Sequence, residues 1–168
     1  MKIVIAAEIF YPEIGGPATF VREIIAHLIK KSHTVAVVAY AEDPEVSARA
    51  CQELFSKEIE QGNLSIDFVQ TGSGYFKYLT KLFSISSNAC KIFAQGPVLS
   101  GFLALIVGKL KRKKVIVRVV GDQSWEWARV NGVTSSDIDD YQTQSFKQRY
   151  QTTSRASKKF QLVDKLQR

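Results

Sequence analysis

Five short apolar runs, each separated from the next by a stretch of helical periodicity, restrict this chain to a small set of folds. The runs cover residues 3–7, 33–40, 64–69, 89–94 and 115–120. The first reads IVIAA, apolar throughout and largely β-branched, as befits a strand buried on both faces of a parallel sheet. The second, HTVAVVAY, has the same character after its opening histidine. Between them Phe20, Val21, Ile24, Ile25, Leu28 and Ile29 recur at spacings of one, three and four, which predicts an amphipathic helix over 17–31. Strand, helix and strand at this spacing form a right-handed parallel unit. Further helices are predicted over 45–61, 75–83 and 98–110. The expected fold is therefore α/β: a doubly wound, mostly parallel sheet with helices on both faces, whose ligands gather beyond the carboxyl ends of the strands.

Three loops fall on that rim: 8–16 after the first strand, 95–97 after the fourth and 121–127 after the fifth. The first ends in Gly15-Gly16-Pro17. Two glycines allow a tight turn, and proline suits the first helical position, where its missing N–H costs nothing. Such a turn aims free helix amides and the positive dipole end at whatever lies above the sheet, which favours a phosphate or other anion. It is neither GxGxxG nor GxxxxGK[ST], so a plain turn is the competing reading. Glu8 closes the first strand and is placed to orient the glycine loop, unless it is simply the polar end of a strand. His33, a lone histidine opening a strand, is read as structural.

Charge is uneven along the chain. Residues 1–67 hold six Lys or Arg against ten Asp or Glu, whereas residues 68–121 hold nine basic side chains and no acid. A region of one sign attracts anionic partners: lipid head groups, nucleic acid or a diphosphate. Within it, YFKYLTKLF at 75–83 interleaves aromatics with lysines. This serves either as a helix in a membrane interface, with Tyr75, Phe76, Lys77 and Lys81 meeting anionic lipid, or as a helix packed on the sheet. Lys111, Arg112 and Lys113 crowd the end of the next helix, as an anion contact or as charges matched to the helix dipole. Cys51 and Cys90, far apart and without clustered histidines, are expected to be two buried thiols of a reducing compartment, with neither a metal site nor a disulfide framework. The apolar run after Lys2 stops at Glu8, too short for a secretory signal, and the run 98–108 is too short to span a bilayer, so a cytoplasmic protein is expected. One sheet domain over 1–132 is predicted, with a polar, basic helical extension over 133–168.

The segments EIFYPEIGGPATFVREIIAHLIKKSHTVAVVA, KIFAQGP and VIVRVVGDQSWEWARVNG together resemble the N-terminal half of a family 4 glycosyltransferase of GT-B architecture. The resemblance covers about residues 1–132 and is most specific in the Pro-x-x-Gly-Gly loop, the helix after it and the strand opened by a histidine; Ser32 replaces the glycine that usually precedes that histidine. It implies retaining transfer from a nucleotide sugar, a UDP- or GDP-sugar, without a metal and without a covalently bound cofactor. It also implies that Gly15 and Gly16 approach the donor diphosphate through their backbone amides, and that Glu8, Gln95, Gly96, Gly121, Trp125 and Glu126 lie on the acceptor side. Trp125 and Glu126 have structural roles as their alternatives: a core ring and a helix cap or ion pair. Where many members carry a histidine after the fifth strand, this chain has Val120-Gly121-Asp122, so the role of base or sugar ligand falls to Asp122 or is absent.

The second, donor-binding domain of such enzymes is not in this sequence. The chain is therefore expected to be inactive alone, its partners being a sugar or lipid-linked acceptor, a C-terminal domain or partner subunit, and an anionic membrane surface at whose inner face it is peripheral. Three other functions compete. A non-catalytic subunit would recruit an acceptor, a membrane or a donor-carrying partner. A Rossmann oxidoreductase or epimerase lacks its GxGxxG turn here. Nucleic-acid binding comes last, because no recognised module accompanies the positive charge.

Overall fold

The computed structural model describes residues 1–119, 123–132 and 134–143. Contacts divide the chain into two compact units, Met1–Val119 and Val120–Arg168. The first holds a five-stranded sheet, all parallel, built from β1 (Lys2–Ala6), β2 (Thr34–Ala41), β3 (Leu64–Gln70), β4 (Lys91–Ala94) and β5 (Lys114–Val117) in the order β3-β2-β1-β4-β5. The expected α/β class and parallel sheet are thus present. The chain winds outward from β1 in one direction through β2 and β3, then returns to start again at β4. That reversal opens a crevice between the carboxyl ends of β1 and β4.

β1 is central because it is apolar on both sides. Val4 and Ala6 enter one core with Ala36 and Val38 of β2, and Ile5 and Ala7 enter the other with Val35 and Val37. Helix α1 (Gly16–Lys30) supplies Val21 and Ile25 to the second core. Helices α4 (Tyr75–Ile85) and α5 (Leu99–Lys111) cover the first, through Tyr78 and Leu82 and through Leu103, Ala104 and Val107. The outer strands are less buried, and β5 carries exposed Lys114 at its start, a charge that discourages pairing with another chain.

The helix predicted over 45–61 is two helices, α2 (Pro44–Leu54) and α3 (Ser56–Glu60). Phe55 interrupts it at φ −116°, ψ 25°, and its buried ring stacks on Phe10 with centroids 6.1 Å apart. Burying a large apolar side chain is worth about 2–3 kcal/mol, more than the few tenths lost by breaking one turn at an exposed surface. Asp43 opens α2, its Oδ1 accepting from the Glu45 and Val46 amides at 3.0 and 3.1 Å. Cys51 is buried, but Cys90 is exposed, contrary to the expected pair of buried thiols, because it precedes β4 in a turn rather than lying within the strand. Both are free.

Helix α5 lies close over β4 and β5. A Cβ on Gly101 would meet the Gly96 carbonyl oxygen at 2.5 Å, and one on Gly108 would meet Val115 Cγ2 at 2.2 Å. Two glycines one heptad apart therefore let this helix rest against the strands. The second unit contains α6 (Gln123–Val130) and α7 (Ile138–Thr143), with Ala128 and Tyr141 buried.

Candidate functional site

At the β1/β4 crevice the chain ends its two central strands with polar residues and ties them together. The Glu8 amide donates to Gln95 Oε1 at 3.3 Å, and Gln95 Nε2 donates to the Pro17 carbonyl. Gln95 is buried, and its one amide joins the end of β1, the end of β4 and the head of α1. Gln95 thus ties the residue that opens the glycine loop to the one that follows it.

Glu8 turns the other way. Its Oε1 accepts from the Ser100 amide and from Ser100 Oγ, each at 3.2 Å, and Ser100 Oγ also accepts from the Gly96 amide at 3.0 Å. A carboxylate at the first turn of α5 is stabilised by the free amides and the dipole there. A Cβ on residue 96 would sit 2.9 Å from Glu8 Oε1, so a larger residue there would have to displace this carboxylate from Ser100. Ser100, fully buried, was missed from the sequence; a hydroxyl in the first turn after Gly96-Pro97 was its signal.

The positive end of α5 is thus occupied by the protein's own anion, whereas that of α1 is not. α1 begins at Gly16 with Pro17 second, and no side chain caps it. The first amide with an intrahelical acceptor is that of Thr19, donating to the Gly15 carbonyl at 3.0 Å, which leaves Gly16 and Ala18 N–H outside the helical ladder. The glycines are not demanded by the turn, as the sequence suggested. Gly15 is extended at φ 167°, open to any residue, and a Cβ on Gly16 would meet nothing within 4 Å. Beside this helix head, Tyr11, Glu13, Thr19 and Arg22 help to line a cleft of about 200 Å³. α4 also starts without a side-chain cap, at Gly74, on the face of the sheet that carries α5.

Two tyrosines missed by the sequence reading stand behind Glu8. Tyr78 is fully buried and its hydroxyl lies 2.8 Å from the Ala7 carbonyl oxygen and 3.0 Å from that of Val38, the donor for both. Tyr40 stacks on it with centroids 4.6 Å apart, and its own hydroxyl is buried without a hydrogen-bond partner. Burial, then the neighbouring Tyr75 and Glu8, pushes Tyr40 up to about 12; burial, then Tyr40 and Glu8, raises Tyr78 well above its ordinary range.

The remaining predicted residues divide. Gly121 and the proposed base Asp122 lie outside the described residues. Trp125 belongs to the second unit, where its indole N–H donates to the Ser136 carbonyl at 3.0 Å and Arg129 lies 5.8 Å from its ring; Glu126 is exposed. Tyr75, Phe76 and Lys77 are exposed on α4, whereas Lys81 is paired with Asp67 at 2.9 Å. Lys111 is held over the Phe83 ring at 3.9 Å and donates to Ser87 Oγ at 2.6 Å. Arg112 ends α5 in the left-handed region, φ 52°, with Lys113 N–H returning to the Gly108 carbonyl, so part of the basic cluster closes the helix. His33 Nδ1 is buried without a hydrogen-bond partner. Among the described residues no helix is long and apolar enough to cross a membrane, and no group of His, Cys, Asp or Glu is placed to hold a metal ion.

No protein-family model matches the chain, and a search of curated proteins finds no match. The functional reading stands on the loop residues and their geometry.

Proposed function

We propose that the chain is the acceptor-binding N-terminal half of a retaining, nucleotide-sugar-dependent glycosyltransferase, cytoplasmic and peripheral to the inner face of a membrane. The observation that carries this is the head of α1: two glycines that no internal contact or backbone angle requires, opening an uncapped helix beside the β1/β4 crevice. Glycine without an internal reason is accounted for by the close approach of something external, and free amides at a helix start suit a diphosphate. In this reading Gly16 and Ala18 N–H hold a phosphate of a UDP- or GDP-sugar. Glu8, Gln95 and Gly96 form the floor on the acceptor side. A C-terminal domain or partner subunit supplies the remaining donor contacts, no metal takes part, and the chain alone turns over no substrate.

A second reading, a non-catalytic subunit that recruits an acceptor or a donor-carrying partner, is favoured by one observation. Glu8 Oε1 and the Gln95 amide are both engaged within the protein, which suits positioning more than chemistry.

The test is a titration of the isotope-labelled chain with UDP and with GDP at millimolar concentration, following backbone amides. Shifts concentrated at Gly16 and Ala18, abolished by Gly16→Asp with the remaining spectrum unchanged, are expected. An unperturbed α1 head, or equal response in Gly16→Asp, refutes the donor contact, and nucleotide-sugar turnover by the chain alone refutes its dependence on a second domain.

A further inference from the structure

The acid-free stretch of the sequence folds mainly into α4, β4 and α5, and the two helices lie side by side on one face of the sheet. Their carboxyl ends are joined, because Lys111 of α5 sits over Phe83 of α4 and donates to Ser87. The inward sides are filled by Tyr78, Leu82, Leu103 and Val107. The outward sides are not polar. Phe76 is 75% exposed and Phe83 42%, two turns apart on α4, and Phe102 and Leu105 are 49% and 53% exposed on α5. Large exposed side chains grouped in this way mark an interaction surface rather than a solvated one.

On the opposite flank of α4 lies a cleft of about 430 Å³ against the outer strand β3. Phe68 and Val69 form its apolar wall, and Lys77, Thr80, Lys81 and Ser84 its polar one. Lys81 is neutralised by Asp67 at 2.9 Å, but Lys77 forms no ion pair among the described residues. The cleft therefore holds one uncompensated ammonium with hydroxyls beside it, next to a ridge of aromatic and aliphatic side chains.

We infer that the α4–α5 face docks on an anionic phospholipid bilayer, with Phe76, Phe83, Phe102 and Leu105 entering the interface and a headgroup phosphate held in the β3/α4 cleft by Lys77. Charge complementarity selects the occupant: a protein groove would match the apolar ridge, but an anionic membrane matches the ridge together with Lys77, whose charge no ion pair among the described residues offsets. The inference rests on the placement at a membrane proposed above and is independent of the transfer chemistry, so nucleotide titration and vesicle binding fail separately.

Vesicle flotation in low salt decides it, with phosphatidylcholine vesicles compared with vesicles also containing phosphatidylglycerol. Flotation with the anionic vesicles alone is expected. Lys77→Glu should lower the partition roughly tenfold or more, from about 1 kcal/mol for each unit of charge near the surface. Phe76→Ser should lower it severalfold, and Lys30→Glu, the same charge change on α1 at the other face of the sheet, should have little effect. Both main substitutions are at exposed positions, and unchanged circular dichroism confirms folding. Equal binding to both vesicle types, no binding to either, or an equal loss in Lys30→Glu overturns the inference. So does Phe76→Ser binding as tightly as the parent, or saturable binding of inorganic phosphate at Lys77 without flotation, since each leaves an anion site that needs no membrane.

Discussion

Tyr40 and Tyr78 stack together yet differ in what their hydroxyls do, and stability measurements should separate them. Tyr78→Phe removes the donor to the Ala7 carbonyl and should cost about 1–2 kcal/mol in urea unfolding, whereas Tyr40→Phe removes a buried hydroxyl with no partner and should be neutral or stabilising by up to about 1 kcal/mol. The two also set an alkaline limit. Each has its folded pKa raised above the ordinary value of 10, so the folded state keeps a proton that the unfolded chain releases. Their contribution is complete below pH 10 and is lost as pH rises, for Tyr40 through about 12. A melting temperature that falls above pH 10 in the parent and falls less in Tyr40→Phe is expected; an identical alkaline profile in both refutes the assignment. Neither tyrosine could be placed from the sequence, because their partners are carbonyls and a carboxylate brought close only by strand pairing. Glu8, Gln95 and Gly96 were legible as rim residues, since the end of a buried strand is where polarity returns, but their partners were not. Sequence separation hid them: Glu8 and Ser100 are 92 residues apart.

Among elements, α5 is the most constrained by its neighbours. Gly101→Ala should destabilise the fold by about 1–3 kcal/mol, because its Cβ would approach a backbone oxygen that cannot rotate away and the gain of about 1 kcal/mol in helix propensity is too small to compensate. An alanine variant as stable as the parent in urea would show that α5 can lift from β4 without cost. The strands and most helices were readable because burial on both faces and amphipathic spacing leave a periodic trace. The break between α2 and α3 left none. The spacing of Val46, Ala50, Leu54 and Ile59 predicts one continuous helix with these four inward, but Val46 and Leu54 are exposed and Ser47, Cys51 and Phe55 are the buried residues, Phe55 stacking on Phe10 where the helix breaks. The aromatic stretch at 75–83 divides between core and surface. Tyr78 and Leu82 belong to the core while Phe76 and Phe83 face outward, a partition that needs the helix rotation as well as the residue types.

At the scale of the whole molecule, all five strands and both cores found among the described residues precede Val120. A fragment of residues 1–119 should therefore fold by itself, with a cooperative urea transition and the far-ultraviolet signature of a mixed α/β protein. A broad, non-cooperative transition would mean that the sheet depends on the later residues. The order of the sheet was foreseeable only as a class. Five strands alternating with helices predict parallel pairing, but which strand is central follows from the path of the chain, and the first strand being innermost has a consequence for synthesis. Of the strands of this sheet a ribosome delivers β1 first, β2 can join it soon after, and the opposite edge stays open until Ile3 can pair with Lys91. At roughly 5–20 residues per second that wait lasts roughly 4–18 s. During it the central strand of the sheet presents unpaired amides and carbonyls to other nascent chains, so the interval of greatest exposure to mispairing ends only when β4 emerges.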